Sequence, residues 1–156
     1  MRLNFLDKRF FLSFIGLFFT VLASAQVQSL QNRVKPYETR FKNVQEILKQ
    51  GKIGPGLDSL DAILTDYPQA DDVYFTKAIL FAQMRNQEGA IEAIKEALAI
   101  QQKPEYLSFA VDAFKSKNNA DSALMYLDKL IDLDDNNTAS LKRERIMLLF
   151  NGGHKA

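Results

Sequence analysis

The sequence predicts an all-α protein, an α-solenoid of about three helix hairpins with one further helix at the C-terminus. A repeat is the main reason. Gly56-Leu57-Asp58-Ser59-Leu60-Asp61-Ala62-Ile63-Leu64, Ala90-Ile91-Glu92-Ala93-Ile94-Lys95-Glu96-Ala97-Leu98 and Ala123-Leu124-Met125-Tyr126-Leu127-Asp128-Lys129-Leu130-Ile131 superpose on one another at an almost constant spacing. A helix pair recurring in this way cannot bury its apolar face alone and must stack on the next pair. Periodicity is the second reason. Apolar residues return at three- and four-residue steps, and no useful length of chain alternates with period two, so no sheet is expected.

The chain begins with an address. Arg2, Lys8 and Arg9 precede an apolar run from Phe10 to Leu22, broken only by Ser13, Gly16 and Thr20. Ala23-Ser24-Ala25, a small-x-small site, then leads to polar Gln26. Cationic head, short apolar core and small-residue exit are the parts of a secretory signal peptide, so residues 1–25 read as an export signal cleaved between Ala25 and Gln26. About 13 residues of helix span roughly 20 Å at 1.5 Å per residue, short of the ~30 Å bilayer core. The alternative is a short anchor that stays uncleaved, the one route by which this chain would hold a membrane. No cysteine follows the small-residue site, which excludes a lipid-anchored lipoprotein. The expected location is the bacterial periplasm or the extracellular space.

The whole chain carries 20 basic and 19 acidic residues. Losing Arg2, Lys8, Arg9 and Asp7 with the signal leaves 17 basic and 18 acidic, interspersed. No basic face suited to phosphates is visible, so no nucleic-acid partner is expected. The absence of cysteine from the sequence excludes disulfides and thiol chemistry, and stability must come from helix packing. The chain that follows the signal is long enough for one domain.

Residues 26–35 are polar and read as a flexible leader, ahead of a helical repeat domain over 36–151 and a short tail at 152–156. Pro36 opens the first helix, where a missing N–H costs nothing, and Tyr37, Phe41, Val44, Ile47 and Leu48 form its apolar stripe. Gly51 and Gly54-Pro55-Gly56 punctuate. Leu57, Leu60, Ile63 and Leu64 mark the second helix, which Tyr67-Pro68 stops. Asp71-Asp72 sits where an N-cap and a first-turn acid belong, before Val73, Tyr74, Ala78, Phe81 and Ala82. Arg85-Asn86-Gln87 turns into a fourth helix from Gly89 to about Ile100. Pro104-Glu105 opens the fifth, with Tyr106, Leu107, Ala110, Val111 and Phe114, and Asn118-Asn119 breaks it. Asp121 or Ser122 caps the sixth, Asp134 to Asn137 end it, and a seventh covers roughly Thr138 to Phe150.

This arrangement resembles the tetratricopeptide repeat, a helix–turn–helix unit of about 34 residues, over about residues 37 to 150. That family wants a large residue, a small one and an aromatic in the first helix of each pair. Tyr74, Ala78 and Phe81 meet this, and so do Leu107, Val111 and Phe114 with valine as the small residue. In the second helix it wants small, bulky and small. Ala90, Ile94 and Ala97 fit all three, while Ala123, Leu127 and Leu130 fit two. Gly56, Leu60 and Ile63 hold these places in the first repeat, and Pro68 falls at the family's terminating proline. Arg40 stands where the first repeat should carry its early aromatic.

Ile146-Met147-Leu148-Leu149-Phe150 departs from the pattern, because five apolar residues in a row cover all sides of a helix, whereas a terminal cap should show water a polar face. Either this face is buried by a partner or a second copy, giving a homo-oligomer, or the chain is the front piece of a longer array.

Candidate chemistry is sparse. His154, the only histidine, follows Gly152-Gly153 near the end, where neither rigidity nor an orienting partner is expected for a general base. One histidine and no cysteine leave no zinc set, and no cofactor is implied. Asp132, Asp134 and Asn136 would take the first three places of a calcium loop, but Arg143 falls where the bidentate glutamate must sit. Asp58, Asp61, Glu92, Lys95, Glu96, Asp128 and Lys129 read as the wet outer face of the second helices.

The resemblance implies that the first helix of each pair lines a concave groove. It places Phe41, Gln45 and Leu48 there from the first pair and Phe75, Ile79 and Gln83 from the second. Ser108, Asp112 and Lys115 follow from the third, then Lys142, Ile146 and Leu149 from the last helix. Gln45 and Thr76 stand where some members use asparagines to clamp a terminal carboxylate, so no such clamp is expected. The function implied is an exported, non-enzymatic scaffold that binds a protein or peptide segment in that groove. The alternative is the N-terminal sensory part of a larger bacterial envelope protein whose output domain lies elsewhere.

Overall fold

The computed structural model describes residues 35–133 and 138–151. The export signal, the cleavage site, most of the leader, the loop 134–137 and the tail with His154 lie outside these residues. The chain divides into two units, residues 1–39 and 40–156. In the first, the described part is a turn in which the Glu38 N–H donates to the Lys35 carbonyl at 2.9 Å, the Lys35 ammonium lies 5.8 Å from the Tyr37 ring centre, and Tyr37 is buried.

Among the described residues the protein is all-α, with seven helices and no strand: α1 (Glu38–Lys49), α2 (Ile53–Asp66), α3 (Asp71–Gln83), α4 (Gln87–Ile100), α5 (Pro104–Ser116), α6 (Ala120–Leu133) and α7 (Thr138–Asn151). The extensive backbone contacts run between neighbours in sequence, from α2 to α7, and are tightest within the pairs α3–α4 and α5–α6. This is solenoid packing, each hairpin finding its interior on the next. None of the described helices is long and apolar enough to cross a membrane.

The second helices carry the repeat faithfully. The small places Gly56, Ala90 and Ala123 are buried, as are the bulky places Leu60, Ile94 and Leu127 and the third places Ile63, Ala97 and Leu130. In the first helices Val44, Ala78 and Val111 are buried at equivalent positions. Small residues here let helices approach, and bulky ones fill the joint between hairpins.

The turns repeat as well. Gly51, Arg85 and Asn118 all have positive φ, at 75°, 59° and 55°. Each donates its N–H to the carbonyl three residues back, and the next residue reaches five back: Lys52 to Ile47 at 3.3 Å, Asn86 to Phe81 at 2.8 Å and Asn119 to Phe114 at 2.9 Å. This left-handed exit satisfies carbonyls that a helix end leaves orphaned. Asn86 and Asn119 then cap the next helices, their side-chain oxygens accepting from the N–H groups of Gly89 and Ser122 at 3.0 Å. The α6 cap is thus Asn119, not Asp121 or Ser122. A non-glycine residue in this backbone region costs about 1 kcal/mol or more, so Arg85→Gly should raise stability by about 1 kcal/mol, measured as a shifted urea midpoint.

Three further expectations are corrected. Helix α1 begins at Glu38, with Pro36 in the preceding turn. Helix α2 begins at Ile53, so Gly54-Pro55-Gly56 lies inside its first turns; Pro55 is tolerated there because the first N–H groups of a helix have no intrahelical partner. Gly56 packs closely on Leu48, whose side chain would have to shift to admit a Cβ there. Asp71 does not cap α3. Ala70 holds that place without a side-chain bond, and Asp71 is buried, accepting hydrogen bonds from the Tyr106 hydroxyl at 2.7 Å and the Lys103 ammonium at 2.5 Å.

The first hairpin is looser. Helices α1 and α2 lack the close backbone approach of the later pairs, and Arg40 Nη1 meets Asp66 Oδ2 at 2.5 Å across them. Arg40 occupies the place that Tyr74 and Leu107 fill in later hairpins, so an exposed ion pair replaces an apolar contact there. Such pairs add little, typically under ~1 kcal/mol.

Candidate functional site

Helices α3, α5 and α7 are the first members of successive pairs, each one repeat further along the chain, so that Asp71, Pro104 and Thr138 open them in turn. Two clefts lie between them. One, of about 290 Å3, is lined by Ala82 on α3, Ala90 on α4, Phe109 and Ala113 on α5, and the exposed Arg85 and Asp112. The alanines leave the space that larger side chains would fill. Behind it stands an aromatic cluster: the Phe75 ring packs edge-on to Phe109 at 5.7 Å and lies 4.5 Å from Tyr106. This cleft can bury one apolar side chain of a partner and offer a cation and a carboxylate nearby.

The second cleft, of about 540 Å3, lies between α5 and α7 and is lined by Lys115, Ser140, Arg143, Glu144, Met147 and Leu148. Lys115 spans it, its ammonium 2.6 Å from Glu144 and 3.4 Å from Asp112. The hydrogen bond to Glu144 is the main reason that the Lys115 pKa is raised, with partial burial working against it.

Asp71, Lys103 and Tyr106 tie α3 to α5 at the N-terminal ends of these helices. Lys103 Nζ is 3.0 Å from the Tyr106 hydroxyl and 4.8 Å from its ring centre. Burial, reinforced by the bond to Asp71, pushes the Tyr106 pKa well above the ordinary tyrosine value. Tyr106 is 2 % exposed, so this polar cluster is part of the core.

The groove residues expected from sequence fall into three groups. Phe41 is corrected: at 8 % exposure it lies with Val44 on the buried face of α1, and its ring is not available to a partner. Phe75 and Ile79 are half-buried, Phe75 serving as the aromatic backing just described. Gln45, Gln83, Ser108, Asp112, Lys142 and Ile146 are exposed. The first cleft draws only Asp112 from the expected set.

Missed were Ala82, Arg85, Phe109 and Ala113. On α5 the lining residues Phe109, Asp112, Ala113 and Ser116 form one helical stripe, rotated slightly from the expected Ser108, Asp112 and Lys115. No sequence signal marked them, since the small residues at 82, 90 and 113 suit a close helix contact as well as a gap.

Asp58, Asp61, Glu92, Lys95, Glu96 and Lys129 are exposed, and Asp61 pairs with Lys77 on α3. No protein-family model matches the sequence, and comparison with curated proteins gives no match.

Proposed function

We propose that the chain is an exported, non-enzymatic interaction module of tetratricopeptide type that holds a segment of a partner protein against α3, α5 and α7. The observation that carries this reading is the 290 Å3 cleft, apolar at Ala82, Ala90, Phe109 and Ala113, with Arg85 and Asp112 beside it. Mostly apolar clefts with a few convergent polar groups are where partner side chains anchor. The export signal read from residues 1–25 supports a location in the periplasm or outside the cell.

The test is site-specific photo-crosslinking in the exporting cell. A crosslinker at Gln83 should yield a defined adduct and one at Lys95, exposed on α4, should not. Ala82→Trp, at an exposed position lining the cleft, should cut the Gln83 adduct at least tenfold while the melting temperature stays within a few degrees. Equal adducts from both positions, or an adduct indifferent to Ala82→Trp, would remove the reading.

A second reading makes the chain the sensory front of a larger envelope protein, with α7 covered by a following helix. Ile146, Met147 and Phe150, exposed at 64, 63 and 85 %, favour it. Glu144 and Arg145 weigh against a helix covering α7 as α6 covers α5. Phe114 stacks on Tyr126 of α6 at 5.4 Å, and Ala110 and Val111 sit one turn before it. The equivalents of Ala110 and Val111 on α7 are Glu144 and Arg145, tied to Lys115 and Asp128. A close helix there would bury both charges at its contact.

A further inference from the structure

The stripe of α5 that lines the first cleft, Phe109, Asp112, Ala113 and Ser116, has its equivalents one repeat later in Arg143, Ile146, Met147 and Phe150. The three exposed apolar side chains of α7 therefore occupy groove positions, not the positions that pack one helix of a hairpin on the other. Met147 and Arg143 already line the second cleft, between α5 and α7. Three contiguous large apolar side chains at this exposure mark a contact surface.

Charge selects the occupant. Lys142 and Arg143 are exposed beside the apolar stripe, and neither pairs with an acid among the described residues. Glu144, the one acidic residue of α7, is engaged by Lys115 at 2.6 Å. The open face of α7 is thus apolar and cationic. Three side chains fall well short of the ~800 Å2 that each partner of a stable dimer contributes, so a second copy alone is a poor cover.

Resting on the groove reading above, we infer that the α5–α7 end of the groove takes a partner segment in which apolar or aromatic residues alternate with Asp or Glu. Its apolar side chains cover Ile146, Met147 and Phe150, and its carboxylates meet Lys142 and Arg143. Desolvated apolar anchors carry most of such an affinity, and the charges fix orientation and encounter rate.

A random-peptide display library selected on the purified full-length protein tests this. Enriched peptides should combine apolar residues with acids. Their affinity should fall at least tenfold for Ile146→Gln/Phe150→Gln and at least threefold for Lys142→Gln/Arg143→Gln, and weaken as salt rises from about 0.15 M to about 1 M, where the screening length shortens from about 8 to about 3 Å. All four positions are exposed, so helical circular dichroism and melting should stay unchanged. Enriched peptides lacking acids, or peptides that bind both variants normally, overturn the inference. If their binding instead falls with Ala82→Trp, the groove reading survives and only its α7 end is lost. If nothing is enriched, both fall. A wild-type dimer that Ile146→Gln/Phe150→Gln converts to monomer would make the face a self-contact and overturn it too.

Discussion

Asp71→Ala should lower folding stability by about 3 kcal/mol, the largest polar effect expected in this chain. The substitution removes a buried carboxylate that accepts from both Tyr106 and Lys103, and it strands the ammonium against the core. Breaking a buried pair costs about 3–5 kcal/mol; the Lys103 side chain keeps 26 % of its exposure, so water can partly rescue it and the low end applies. Tyr106→Phe leaves the ion pair intact and should cost only about 1–2 kcal/mol, from one lost hydrogen bond. A urea melt of each variant checks the order, and equal losses would mean that the phenol, not the carboxylate, holds the joint.

The same cluster gives the molecule an alkaline limit. Tyr106 has its pKa raised by burial and by Asp71, so the folded state keeps a proton that an unfolded chain releases near pH 10. Above that pH the unfolded state binds fewer protons and stability falls as pH rises; below it the contribution is fully present. The tyrosine absorbance of Tyr106 should therefore change only as the helices melt, and Tyr106→Phe should flatten the decline in stability above about pH 10.

Ile94→Ala is the second large effect. Ile94 is fully buried on α4, in the bulky place between hairpins, and truncating a buried isoleucine to alanine typically costs about 2–5 kcal/mol. Because the extensive backbone contacts run between sequence neighbours, the damage should be local. Hydrogen exchange should quicken in α3, α4 and α5 well before α7, whereas a uniform rise along the chain would show a single cooperative core instead of stacked units.

The second-helix positions were legible because their identity follows from one geometric demand: a small residue where two helices nearly touch and a bulky one where they part. Gly56, Ala90 and Ala123 could be read as a column before any coordinates. The left-handed turns were only half legible, since Gly51 advertises its backbone while Arg85 and Asn118 occupy the same conformation at a cost that surrounding packing supports. The start of α2 was hidden because Gly-Pro-Gly signals a break by local propensity, yet the first turn of a helix tolerates proline and Gly56 packs closely on Leu48.

Asp71 was misread for the opposite reason. An acid before an apolar stripe is the ordinary mark of a cap, and nothing local reveals the tyrosine, far along the chain on α5, that claims it. Phe41 looked like a groove residue because helical spacing alone does not tell which neighbouring face is the wet one. The cleft beside Ala82 escaped because a void is specified by what is missing, and alanine is equally at home in a tight contact and in a gap.

Stacking by immediate neighbours also has a mechanical consequence. Because the extensive contacts run between successive helices among the described residues, a small rotation at each joint adds to the next, and bending strain is shared along the stack. The loosely fastened α1–α2 pair should yield first under load.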